Sequence, residues 1–188
     1  MILDSLEQWT RFLGILTALG TLGVILYGLF RGLRRAVGRV SGRQSSLLRT
    51  PYFYILASLG YLGLCYLLWR PLPIQLSILA RIVALIIGAL LYFSGLGLIL
   101  WGRLVLGELY FVSSSLGAQL FAEHTLITHG PYALVRHPMY LGILLTRLGG
   151  ILIFRTWTWV FFALNFLGLI IRARREESAL QAEFGEAW

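Results

Sequence analysis

HTLITHGPYALVRHPMYLG, running from His124 to Gly142, is the stretch on which the reading of this chain turns. Its nineteen residues hold three histidines, an arginine, two tyrosines and two prolines, and they run straight into an apolar helix. Elsewhere Leu, Ile, Gly and Val dominate. Gly130-Pro131 is a turn signal. His137 precedes Pro138 and is held extended, while Pro138 suits the first turn of a helix. Arg136, His137 and Tyr140 are thereby placed at a helix entrance, where unsatisfied backbone N–H groups attract anions. Two readings stand here: a ligand site, or residues that only anchor the helix among lipid headgroups.

The surroundings of this stretch fix its class. Of 188 residues, 58% are hydrophobic and only 13% charged, whereas a soluble domain is about half apolar and about a quarter charged. The apolar runs recur along the whole chain, which excludes a signal peptide as their cause. The expectation is an all-α integral membrane protein, a single domain over residues 1–188. Five spans are predicted: Phe12–Phe30, Tyr52–Trp69, Ile82–Trp101, Met139–Phe154 and Trp157–Ile171. Residues 1–102 hold the first three. Residues 103–188 hold the long loop that carries most of the polar side chains, a tight helical hairpin made by the last two spans, and a C-terminal tail. The first three runs reach the length a bilayer core requires, and the last two are short.

All sixteen basic residues are Arg, which hints at a GC-rich bacterial genome. Arg31, Arg34, Arg35, Arg39, Arg43, Arg49, Arg103, Arg136, Arg172, Arg174 and Arg175 fall on one side of five spans, and Arg11, Arg70, Arg81 and Arg155 on the other. The positive-inside bias then puts the N-terminus outside and the C-terminus in the cytoplasm of a bacterial membrane. The net charge of +8 reads as this bias and as contact with anionic lipid, not as nucleic-acid binding. Cys65 is the single cysteine, so neither an intrachain disulfide nor a cysteine metal cluster is expected, and no metal site is predicted. Trp69, Trp101, Trp157 and Trp159 lie at segment ends and are expected at headgroup level. The recurring glycines, among them Gly14, Gly20, Gly23, Gly60, Gly63, Gly88, Gly95 and Gly97, are expected to let helices pack closely. Arg147 stands near the middle of the fourth span, where a charge is costly and is buried against protein, water or a ligand. In the tail, Arg172 and Glu176 are four apart and share a helix face.

The ordered set His124-x-Leu-Ile, Gly130-x-Tyr132, Arg136-His-Pro-x-Tyr-x-Gly142 and then, one hairpin later, Arg172, Glu176-Glu177 and Phe184-Gly185 resembles the isoprenylcysteine carboxyl methyltransferase family. That family belongs to a wider group of membrane methyltransferases that includes the phospholipid N-methyltransferases. The match covers roughly His124 to Trp188. The resemblance implies a compact multispanning fold that binds S-adenosylmethionine on the cytosolic side and admits a lipophilic acceptor from the bilayer. It makes His124, Thr125, Leu126, Ile127, Tyr132, His137, Pro138, Met139, Tyr140 and Glu176 the expected cofactor positions, with Gln119 a further candidate. Arg172 matches the substrate-contacting arginine, and Arg136 and Arg147 join it as candidates at the reacting end. The chain stops at Trp188, where relatives usually continue with a tyrosine- and arginine-containing tail, so the expectation is either a shorter C-terminal lid or a chain trimmed at this end.

Methyl transfer to a carboxylate needs only orientation, by Arg172 and Arg147. Transfer to an amine needs a base, and the spans offer no buried carboxylate for it. The expected acceptor is therefore a prenylcysteine-type carboxylate, ahead of a phospholipid amine or a small thiol. Sterol-reductase-like enzymes using NADPH share the Arg-His-Pro-x-Tyr motif but differ at Met139 and in the tail. A non-enzymatic membrane scaffold is the remaining rival.

Overall fold

The computed structural model describes residues 1–32, 37–42, 51–107, 117–121 and 127–185. Six helices dominate: α1 (Ile2–Gly32), α2 (Pro51–Leu67), α3 (Ile78–Leu106), α4 (Pro138–Phe154), α5 (Trp157–Leu164) and α6 (Phe166–Phe184). A short 3-10 turn, Gly130–Ala133, precedes α4. The chain is not the all-α fold expected from the sequence. Strands β1 (Val37–Gly42) and β2 (Gly117–Phe121) pair antiparallel, with Val40 opposite Gln119. Val37, Val40 and Phe121 favour a ladder, and Gly38, Gly42 and Gly117 disfavour a helix in these loop segments.

Two helices are long and apolar enough to cross a membrane, α1 over Ile2–Gly28 and α3 over Ile78–Leu106. At 1.5 Å per residue α3 is about 43 Å long, which exceeds a bilayer core of about 30 Å. It opens on Ser77, whose hydroxyl accepts from the Ala80 N–H at 3.3 Å. It closes at Gly107, whose N–H reaches back to Arg103 O. Outward-facing side chains on the first three helices, such as Phe12, Leu16, Leu59, Ile86 and Leu90, are apolar and exposed. So continuous an apolar surface suits lipid rather than water.

The bundle is built on a seam between α3 and α4. Gly88, Gly95 and Gly102 recur every seven residues on α3, and Gly142 and Gly149 do so on α4. A Cβ at Gly95 would lie 2.6 Å from Gly142 O, and one at Gly142 would lie 2.7 Å from Gly95 O. Gly149 meets Gly88 in the same way. The two backbones therefore touch, antiparallel, as small residues allow in membrane helices. Gly20, Gly23, Gly60, Gly63 and Gly97 do not share this role: a Cβ there would meet nothing within 4 Å.

Beside the seam sits an aromatic core of Tyr92, Leu96, Ile99, Ile153, Phe154 and Trp159. Phe154 and Trp159 stack at 5.2 Å, and Tyr92 meets both edge-on. Tyr92 is fully buried and donates its hydroxyl to Gly14 O at 2.9 Å, which ties α1 to the core. Trp159 is thus a core residue and not a headgroup anchor, whereas Trp157 is exposed. Burial of its large ring against Tyr92, Phe154 and Phe162 outweighs any interfacial preference.

The α4–α5 connection is as tight as expected. Arg155 takes a left-handed conformation (φ 51°, ψ 47°) that ends α4, and the loop after α2 clamps it. Leu72 N–H donates to Arg155 O at 2.8 Å, and Trp157 N–H to Arg70 O at 3.1 Å. Glu7 of α1 collects three guanidinium groups at this end: Arg155 at 2.7 Å, Arg81 at 3.1 Å and Arg11 at 3.4 Å. The expected fifth span, Trp157–Ile171, is however two helices. Asn165 turns its side-chain amide onto Phe161 O at 2.8 Å. The Asn165 N–H shares that carbonyl at 3.2 Å with φ −70° and ψ −1°, so α5 is capped there and α6 starts at Phe166.

Candidate functional site

The opposite end of the bundle holds the motif residues. Gly130 adopts φ +62°, and a Cβ there would press on Val105 of α3 at 2.9 Å. Glycine at this position lets the 3-10 turn lie flat on the end of α3, with Pro131 fully buried beneath it. Tyr132 Oη reaches to 3.5 Å from Gly102 O. Pro138 is fully buried, and Met139 packs against Gly102 and the core. These two expected cofactor positions therefore fasten α4 to α3. Arg136 is exposed at the end of the turn, and Ile127 is half-buried ahead of it. Near them Arg103, buried in the last turn of α3, donates to Gly107 O at 2.7 Å and lies across Gly28 of α1.

His137 and Tyr140, one helical turn apart, stack with ring centroids 5.4 Å apart. Across from them α6 presents Arg172, Glu176 and Glu177. Tyr140 donates its hydroxyl to Glu176 Oε1 at 2.6 Å. His137 Nδ1 lies 4.0 Å from Glu176 Oε2, and its Nε2 is 3.1 Å from Glu177 Oε1. The Arg172 guanidinium sits 5.9 Å from the centre of the Tyr140 ring. Its Nε is buried and has no hydrogen-bond partner among the described residues. Burial raises the Glu176 carboxyl above its ordinary pKa, and the Tyr140 hydroxyl, Arg172 and His137 pull it back in turn. A buried carboxylate that needs positive charge and a buried donor that needs an acceptor thus stand side by side.

The structure therefore brings together His137, Tyr140, Arg172 and Glu176 from among the expected residues. It adds Glu177, which sequence reasoning quoted in the motif but did not assign. Its partner His137 is 40 residues away, a pairing that helical spacing does not reveal. Gln119 lies in β2, a strand next to α6. His124, Thr125 and Leu126 lie outside the described residues. Arg147 is two turns from Tyr140 along α4, away from this cluster.

Such a site fits an amino-acid-like cofactor. Glu176 can accept from the cofactor's ammonium, while Arg172 Nε is left to donate to an anionic group of a second ligand beside it. The first-turn amides of Met139 and Tyr140 add donors of the kind that helix starts leave unpaired. Residues 83–187 match the family model for phospholipid methyltransferases, a match that takes in most of α3 and all of α4 to α6. That family lies within the wider isoprenylcysteine carboxyl methyltransferase-like group of membrane enzymes. No curated protein and no solved structure matches the chain.

Proposed function

The chain belongs to the phospholipid methyltransferase family, and from that premise we propose that it transfers a methyl group from S-adenosylmethionine to a lipophilic acceptor at the α4–α6 end of the bundle. The observation that carries this reading is the Glu176 carboxylate, held by Tyr140 beside His137 with Arg172 over the same ring. When bound, the cofactor supplies a methyl carbon already activated by its sulfonium. Glu176 then holds the ammonium and Arg172 an anionic group, while α3 and the 3-10 turn wall off one side of the site. Positioning of this kind, with water excluded, is the main source of acceleration for such a displacement.

We read the bundle as five spans, with α5 and the first part of α6 forming the last. Arg11, Arg81 and Arg155, assigned to the outer side by charge, share one end around Glu7, while Arg103, Arg136 and Arg172 share the other. That grouping supports a cytoplasmic site.

Two acceptor classes fit. A phospholipid-type amine must lose a proton before it attacks, and His137 with Glu177 supplies the base that the spans lack. With Nε2–H donated to Glu177, Nδ1 faces the Glu176 side and can take that proton. A prenylcysteine-type carboxylate needs no base, and the unsatisfied Arg172 Nε favours it. The test is calorimetric binding of S-adenosylmethionine and S-adenosylhomocysteine to detergent-purified protein, with NADPH as control. Labelled-methyl transfer to phosphatidylethanolamine and to a prenylcysteine follows. Binding of the methyl-donor pair alone supports the proposal. NADPH binding alone would replace it with a reductase, and binding of neither by folded protein would leave a scaffold.

A further inference from the structure

Arg147 is the tenth residue of α4, about 13 Å along the axis from Pro138 at 1.5 Å per residue. It is half-buried. Its Nη1 is buried, with no hydrogen-bond partner among the described residues. The acidic side chains described are Asp4, Glu7, Glu176 and Glu177, and their ion pairs all go elsewhere. A cation at this depth is costly and ordinarily pairs with a counter-charge.

Its surroundings have a direction. Arg147 is seven residues from Tyr140, nearly two full turns, so both lie on one face of α4. Tyr61 of α2 is within electrostatic reach of Arg147 and stacks on Phe162 of α5 at 5.2 Å and 12°. Tyr61 is itself 43% exposed on the apolar surface of the bundle. A buried guanidinium nitrogen without a partner among the described residues therefore lies within electrostatic reach of Tyr61, on the helix face that carries Tyr140.

We infer that Arg147 anchors the anionic group of the methyl acceptor, drawn in from the bilayer beside Tyr61 and Phe162. The inference rests on the methyltransferase reading and adds the acceptor's required chemistry: an apolar chain bearing a phosphate or a carboxylate. Phosphate would come from a phospholipid, whereas a prenylcysteine-type carboxylate would be held at Arg147 on entry and pass to Arg172 at the cluster, where it reacts.

The experiment uses the full chain in dodecyl maltoside, titrated with dodecyl phosphate, dodecanoate and, as an uncharged control, dodecanol. S-adenosylhomocysteine is titrated separately. Wild type should bind one or both anions saturably and dodecanol far more weakly. Arg147→Leu should lose anion affinity by about ten- to a hundredfold, the loss of a charge-assisted hydrogen bond, and keep its affinity for S-adenosylhomocysteine. Arg147→Lys should retain part of the anion affinity. Preference for phosphate supports the phospholipid source, and preference for carboxylate supports the other. Equal anion affinity in wild type and Arg147→Leu, or dodecanol binding as tight as the anions, would overturn the inference. Failure of wild type to bind S-adenosylhomocysteine would instead overturn the methyltransferase reading, and it is read in a different titration. A purely structural Arg147 predicts a lower melting temperature for Arg147→Leu. The inference predicts an equal or higher one, because an unpaired charge has been removed from an apolar site.

Discussion

Gly95 and Gly97 are two residues apart on α3, and replacing each by alanine tests the seam with its own control. A Cβ at Gly95 would lie 2.6 Å from both Gly142 O and Thr146 N, whereas ordinary contact begins at 3.4 Å. The α3 and α4 backbones must then separate by up to 0.8 Å, the difference of those distances. At Gly97 a Cβ meets nothing within 4 Å. Both variants gain the same helix propensity, about 0.8–1.0 kcal/mol for Gly→Ala. Only Gly95→Ala also suffers overpacking, typically about 1–3 kcal/mol. Gly97→Ala should therefore match or exceed wild type in thermal stability, and Gly95→Ala should fall below Gly97→Ala by about 1–3 kcal/mol. The displacement also moves the start of α4, and misplacement of about 1 Å in a reacting group can lower rate by about a hundredfold. The assay is thermal unfolding of both variants in one detergent, paired with S-adenosylhomocysteine titration. Equal melting temperatures for the two variants would refute the close-contact seam.

Substitutions at three further residues have expected outcomes. Glu176→Gln should weaken binding of S-adenosylmethionine by about tenfold or more, the worth of a charged hydrogen bond, measured by calorimetry. Because burial raises the Glu176 carboxyl, wild-type affinity should decline as the pH falls through a value above the ordinary glutamate pKa. Binding of the cationic donor favours the charged form and should release protons, seen as a dependence of the heat on buffer ionisation. The same raised pKa means that the contribution of this group to apo stability is full below its unfolded pKa and is lost as the pH rises through the folded one. Glu176→Gln should flatten that slope. Arg172→Ala should impair acceptor turnover more than donor binding, shown by a larger rise in acceptor KM than in donor Kd. Glu7→Ala should strip three arginines of their shared carboxylate and cost about 3–5 kcal/mol in unfolding experiments. Donor affinity, at the far end of the bundle, should change little.

Much of this arrangement was legible in the residues. The Arg136-His-Pro-Met-Tyr140 run announced a helix entrance, and the i,i+4 spacing put Arg172 and Glu176 on one face. The charge count sorted Arg11, Arg81 and Arg155 into one group that the structure gathers on Glu7. Other features depend on contacts far apart in the chain. Glu177 meets His137 only because the α4–α5 turn returns the chain to the start of α4. Glycine abundance did not separate Gly95 from Gly97, although the spacing of seven shared by Gly88, Gly95, Gly102 and by Gly142, Gly149 carried that signal. The break at Asn165 was hidden in a continuous apolar run, since one polar side chain turning on its own helix leaves hydropathy almost unchanged. Trp157 and Trp159 look alike in sequence, and only their positions on α5 separate lipid from core.

Glu7 and Arg155 are 148 residues apart in the chain, and that distance sets an order of events during synthesis. At about 5–20 residues per second, Arg155 emerges from the ribosome roughly 7–30 seconds after Glu7. Arg81 arrives midway, so the first helix must wait half-paired at the membrane surface until the last hairpin is made. Closing that cluster is therefore a late event in synthesis, after His137 and Tyr140 of α4 have been made and before Arg172 and Glu176 of α6.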